Sequence, residues 1–371
     1  MRQSVPLLLA AGVLIVAAVS FTQQAAPPQT MSIEEYDPKS TLVVPETRIT
    51  RAKFPFLDVH HHPRAKTPQD VDALVRDMDP LNLRVLVNLS GGTGARLQEN
   101  IELYKKRYPD RFVVFANMDF ADIEDPDFAD KVAARYAADV KAGAQGLKIF
   151  KNFGMDLKDK KGRVPVDDPR FDKIFELCGK LKTPVLIHTA EPKAFFDPID
   201  KHNERWLELK QFPQRARPAE KYPSWNTLME EQRRLFKKHP NTTFINAHLG
   251  WLGGDLAELG RRLDEMPNMV TEVAAAIYEL GRQPRFARQF MLKYADRVLM
   301  GKDAWEPRDP AEYHFYFRLL ETPDEYFPYF RRRHAFWRQY GLDLPDDVLR
   351  KVYYRNAVRV IPGVKREWFE K

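Results

Sequence analysis

The chain has 371 residues, 44% of them hydrophobic and 12% aromatic, which allows a large core and excludes global disorder. Its net charge of +7 arises from 59 basic residues spread among 52 acidic ones, with no block of five or more like charges, so a nucleic-acid partner is not supported. The single cysteine, Cys178, excludes an intrachain disulfide.

The N-terminus carries Arg2 and then an apolar stretch from Val5 to about Phe21, followed by small residues and Pro27-Pro28. A positive start, an apolar run and small residues read as an export signal over 1–26, with cleavage after Ser20 or Ala26. The expected location is periplasmic or extracellular. Uncleaved, the same segment is an anchor and the one expected membrane contact. Residues 27–50 read as a leader and 51–371 as the folded domain.

From Phe54 onward, short apolar runs alternate with helix-period segments. The runs are Phe56–His60, Arg84–Leu89, Phe112–Met118, Gly146–Phe150, Val185–His188, Thr243–Ala247, Met269–Val273 and Val298–Met300. Between them, helices are expected over Gln69–Met78, Arg96–Arg107, Phe128–Ala142, Arg170–Leu181, Trp225–His239, Leu256–Asp264 and Arg285–Tyr294. Eight strands alternating with helices predict an α/β fold, a (β/α)8 TIM barrel with a helical C-terminal extension. An open doubly wound sheet is disfavoured, because Gly92-Thr93-Gly94 lacks the third glycine of a dinucleotide-binding turn. Two stretches break the spacing. The insertion 190–224 reads as a lid or an oligomer contact, and the aromatic- and arginine-rich segment 304–340 as a helical cap on the barrel or on a second copy of the chain.

In such barrels the chemistry sits at the C-terminal ends of the strands. Asp58, His60 and His62 share one face of the first strand, since side chains alternate, and His61 faces away. Two imidazoles on one strand face suit a divalent cation. His188 closes the fifth strand, His248 follows the sixth, and Gly301-Lys302-Asp303 follows the eighth. His202, His239, His314 and His334 fall in loop or helix contexts and read as surface or packing residues. Glu272 stands in an apolar strand, either orienting a ligand histidine from behind or turned to the barrel exterior. Lys148 lies in the fourth strand.

The ordered set Asp58-Val59-His60-His61-His62, Val185-Leu186-Ile187-His188, Asn246-Ala247-His248-Leu249-Gly250, Met300-Gly301-Lys302-Asp303 and Tyr354-Arg355-Asn356-Ala357 resembles the amidohydrolase superfamily. The likeness runs over about 54–362, to the branch that includes metal-dependent decarboxylases and lactonases. The resemblance implies that His60, His62, His188 and Asp303 hold a divalent metal, Zn2+ first, one ion per chain, with His248 and Asp303 catalytic. Some members carboxylate a lysine on the fourth strand to bridge two metals. Lys148 is either that group or, as favoured here, a lysine that attracts a substrate carboxylate or pairs with a ligand carboxylate. After Asp303 the usual small or proline-bearing turn gives way to Ala304-Trp305-Glu306, which reshapes the rim.

The expectation is a metal-dependent hydrolase acting on an amide, ester or lactone of a small substrate. Basic residues near strand ends (Arg64, Lys148, Lys151, Lys193, Lys302) point to an anionic one, with Arg64 and Lys302 as substrate-binding candidates. The rivals are a metal-dependent decarboxylase on the same ligands and a non-catalytic binding protein on a degenerate barrel.

Overall fold

The computed structural model describes residues 30–305 and 310–370. The described residues up to Leu42 group apart from the unit Val43–Lys371, which carries all that follows. The export signal expected at 1–26 lies outside the described residues. Among those described, no helix is long and apolar enough to cross a membrane.

The strands are short and nearly all buried on both faces, as parallel strands between a packed interior and an outer layer of helices must be. In chain order they are β1 (Phe56–His61), β2 (Leu83–Asn88), β3 (Phe112–Val114), β4 (Ala116–Asn117), β5 (Leu147–Ile149), a small hairpin β6 (Lys158–Asp159) and β7 (Gly162–Arg163), β8 (Val185–Ile187), β9 (Phe244–Asn246), β10 (Met269–Glu272) and β11 (Val298–Leu299). All pairings outside the hairpin are parallel, in the orders β1-β2-β3 and β11-β10-β9-β8-β5-β4. The expected run Phe112–Met118 is interrupted at Phe115, so β3 pairs with β2 while β4 pairs with β5, and one chain segment joins both sheets. On the other side Val59 N donates to Met300 O (3.0 Å), Asp303 N to His60 O (2.8 Å) and His62 N to Ala304 O (2.6 Å). These bonds close the ring, and they bring the end of β1 against residues 303–304.

The outer helices follow the expected pattern. The first spans Pro68–Leu81 because Thr67 caps it: its hydroxyl accepts from Asp70 N while the Asp70 carboxylate accepts from Thr67 N. It ends at Asn82, which takes a left-handed φ of 67°. Others span Phe128–Ala142, Asp172–Leu181, Trp225–Lys238, Leu256–Glu265 and Pro284–Lys293. The expected helix over Arg96–Arg107 is α-helical over Ala95–Asn100 and π-helical over Ile101–Lys106.

Insertion 190–224 contains only short turns of helix, Lys193–Phe195, Trp206–Gln211 and Pro213–Arg215. Within 304–340 the described helix is Pro310–Glu321, and residues 322–340 are irregular chain pinned by a bridge between Phe327 and Gln339. Pro323 and Pro328 stop helix propagation there, which is why a fully helical cap does not form.

Candidate metal centre and its cavity

At the C-terminal end of β1 the alternation brings His60 and His62 to one point. Both Nε2 atoms lie 3.6 Å from Asp303 Oδ1. The three side chains form a group whose ligand atoms all lie within 4.8 Å of one another. Asp58, of the same parity, is turned elsewhere. Its Oδ1 accepts from His60 N (2.9 Å) and Lys302 N (3.1 Å), and its Oδ2 accepts from the Tyr313 hydroxyl (2.6 Å). Asp58 therefore fastens the two loops that carry the donors. Burial pushes its carboxyl up to about 6. His61 is buried outside this group, and neither ring nitrogen has a hydrogen-bond partner.

Hydrogen bonds to a carboxylate and to a carbonyl assign the tautomers of His60 and His248, and through His248 that of His188. His60 Nδ1 donates to Glu272 Oε1 at 2.9 Å, and His62 Nδ1 lies 2.8 Å from Ser90 Oγ. His248 Nδ1 donates to the Ala274 carbonyl (2.8 Å), which leaves its Nε2 as an acceptor 3.2 Å from His188 Nδ1. His188 then donates from Nδ1, and its Nε2, buried and without a hydrogen-bond partner, keeps a lone pair. His60 and His62 thus turn Nε2 to one carboxylate, a donor set that fits a divalent cation, while the His188 Nε2 lone pair is not among the atoms of that group. Burial lowers the pKa of all four histidines, of His62 to about 4, which keeps the rings neutral as ligands require.

His248 owes its position to an unusual backbone. His248, Leu249, Gly250 and Trp251 take consecutive left-handed φ values of 60°, 54°, 60° and 54°. Each non-glycine residue in that region costs roughly 1–2 kcal/mol. Glu272 Oε1, accepting from His248 N at 2.8 Å, helps to hold the turn, and the His248 ring stacks on His60 with centroids 4.8 Å apart. Glu272 is fully buried inside the barrel, so its exterior reading is wrong. It binds His60 and the His248 backbone with one oxygen and Ala274 N with the other. Burial pushes its carboxyl up to about 8.

Lys148 is fully buried, and its Nζ has no hydrogen-bond partner. It sits over the Phe150 ring, 5.3 Å from the centroid, in the fields of Asp303 and Glu272. Burial lowers its amine to about 8. Lys302 is also buried and pairs with Glu312 at 2.5 Å. Arg64 is exposed and lies over Trp305, which itself stacks on His62 at 4.5 Å. Lys193 stays at the surface, 3.8 Å from Asp197.

A cavity of about 510 Å3 opens above these groups, of a size that suits a small ligand. His188, His248, Lys302 and Asp303 line it together with Glu191, Arg215, Arg331 and His334. His334, read from the sequence as a surface or packing residue, is buried and also lines this cavity. Segment 304–340 reaches over the barrel mouth and delivers it, with Nε2 3.3 Å from Glu208 Oε1 but without a hydrogen bond. Sequence reasoning also passed over Glu191, Arg205, Glu208 and Arg331. The signal available was the arginine density of the two irregular segments, which is equally compatible with surface packing.

No curated protein matches the chain. Among solved structures, an uncharacterized TIM-barrel protein from Bordetella bronchiseptica superposes with a TM-score of 0.51 at 15% identity, over 82% of this chain and 97% of its own. A 2,6-dihydroxybenzoate decarboxylase complexed with 2,6-dihydroxybenzoate gives 0.50 at 17% identity, over 83% and 98%. A 4-oxalomesaconate hydratase from Rhodopseudomonas palustris gives 0.50 at 14%, over 83% and 95%. These likenesses show the barrel fold. The sequence profile of the amidohydrolase family matches residues 46–363, and with the barrel and the histidine–carboxylate cluster in place the chain belongs to that family of metal-dependent enzymes.

Proposed function

We propose that this enzyme is a hydrolase that opens an amide, ester or lactone bond of a small anionic substrate, with His60, His62, His188 and Asp303 as the metal ligands. The observation that carries the reading is the position of Asp303. Its carboxylate lies 3.6 Å from two ligand imidazoles that are almost fully buried, yet its side chain keeps 26% of its exposure and lines the cavity. A divalent ion there, Zn2+ first among candidates, would supply Lewis acidity and a water acidic enough to ionise near neutral pH. Asp303 is placed to accept a proton from water in the cavity, because its carboxylate opens to that space while His60 and His62 stay buried behind it. His248 Nε2 accepts from His188 Nδ1 and the Ala274 carbonyl fixes the other side of the ring, so His248 orients His188 and the substrate above it. Glu272 keeps His60 in the correct tautomer. Lys148, fully buried with its amine at about 8 and so largely protonated at neutral pH, sets a cation in the fields of Asp303 and Glu272 beneath the cavity.

Non-oxidative decarboxylation is the second reading. It is favoured by the arginines in the cavity wall, which suit a substrate that arrives as a carboxylate. The test joins elemental analysis of the purified chain with turnover of lactones, esters and amides against release of carbon dioxide from aromatic carboxylates. About one divalent ion per chain with acyl hydrolysis supports the first reading. Carbon dioxide release moves the assignment to the second. If His188→Ala and Asp303→Asn both leave metal content and turnover untouched, the assigned site is wrong.

A further inference from the structure

Three buried or half-buried carboxylates surround the cavity, and each is gripped by two cations. Glu191 is paired with Lys151 and, at 2.9 Å, with Arg217. Glu208, with no exposure, is paired with Arg205 and Arg215. Glu312 is paired with Lys302 at 2.5 Å and with Arg331 at 3.0 Å. With Asp303, which lines the same cavity, six cations face four carboxylates, an excess of two positive charges among the described residues around one small space. Unmatched charge near a low-dielectric wall is costly. A repeated two-to-one pattern at a cavity wall leaves a field that a ligand of opposite sign must complete.

The contacts show where that ligand docks. Arg215 reaches Glu208 through Nη1 only, and Arg331 reaches Glu312 through Nη2 only. Their side chains keep 42% and 34% of their exposure, and both line the same cavity as His188, His248 and Asp303. The carboxylates behind them hold each guanidinium in place, so the remaining donors are presented without much further ordering. Arg205, by contrast, is spent: it is buried and bonded to Glu208 and the Tyr278 hydroxyl.

We infer that Arg215 and Arg331 form a second, metal-independent anion subsite, so that the substrate is a small molecule with a carboxylate remote from its reacting group. The inference rests on the proposed function for the reacting end only. Both arginines come from the irregular segments, insertion 190–224 and segment 304–340, so the barrel supplies the reactive centre and the two additions supply selection.

The test is calorimetric binding of glutarate and of butyrate to the purified full-length chain at fixed ionic strength, with its metal content measured alongside. Glutarate is expected to bind at least about tenfold more tightly than butyrate, a difference of about 1.4 kcal/mol. Arg331→Gln and Arg215→Gln should each shrink that preference, and the double variant should bring it to within about twofold. Arg331→Lys keeps the charge and should restore part of it, which a purely structural role would not do. Circular dichroism establishes that each variant is folded. Equal binding of the two acids, no binding of either, or a glutarate preference that survives in a folded double variant overturns the inference. A chain without metal that still prefers glutarate through Arg331 keeps the subsite and discards the hydrolase reading. Bound metal with no preference does the reverse.

Discussion

Replacing Glu272 with glutamine keeps the side chain's shape and removes the charge behind His60. Glu272 Oε1 accepts from His60 Nδ1 at 2.9 Å and from His248 N at 2.8 Å, while Oε2 accepts from Ala274 N. A glutamine oxygen can serve the first pair only if its amide nitrogen is turned on the Ala274 N–H, where two donors meet. Burial holds the Glu272 carboxyl at about 8, so without a cation it is mostly protonated at neutral pH and glutamine matches it in charge. The metal-free protein should lose only the cost of the donor left facing Ala274 N–H, about 1–3 kcal/mol. With a cation bound, the carboxylate is ionised and its bond to His60 is charge-assisted, worth about 1.5–3 kcal/mol. Losing it should weaken metal affinity by roughly 10–100-fold, the range seen when such supporting partners of ligand histidines are removed. The assay is competition with a chelator of known affinity, with melting curves of the metal-free forms as a control. An affinity within about twofold of the parent, in a folded variant, would refute the role given to Glu272.

Tyr313→Phe removes the hydroxyl that donates to Asp58 Oδ2 and leaves a buried carboxylate oxygen unpaired, which should cost about 1–3 kcal/mol in urea unfolding. Gly250→Ala places a Cβ at a left-handed φ of 60° and against the Asn246 side-chain amide, so a loss of at least about 1–2 kcal/mol is expected, with lower turnover because His248 belongs to the same turn. Burial alone would raise the Glu208 carboxyl, but His334 and Arg205 beside it bring it down to about 2 from an ordinary 4.5. A folded pKa below the unfolded one gives stability that is present above the ordinary value and lost as pH falls towards 2. Between those limits the melting temperature of the parent should therefore fall more steeply than that of Glu208→Gln.

The sequence determined the barrel and the places where donors gather, because both rest on local pattern. A run of buried residues every time a helix ends specifies a parallel sheet, and alternation along β1 specifies that His60 and His62 share a face. Even the departures at Phe115 and at Ile101–Lys106 leave the element order intact. What only the tertiary structure decided lies between elements far apart in the chain. Glu272 faces inward to His60 because β10 and β1 meet across the closed ring, and Asp58 turns to Tyr313 because residues 310–321 pack over the end of β1. Arg215 and Arg331 sit in irregular segments with no period to read, so nothing local says that both reach one cavity. Periodicity encodes which way a side chain points relative to its own strand or helix. Which side chains then meet is set by packing between elements.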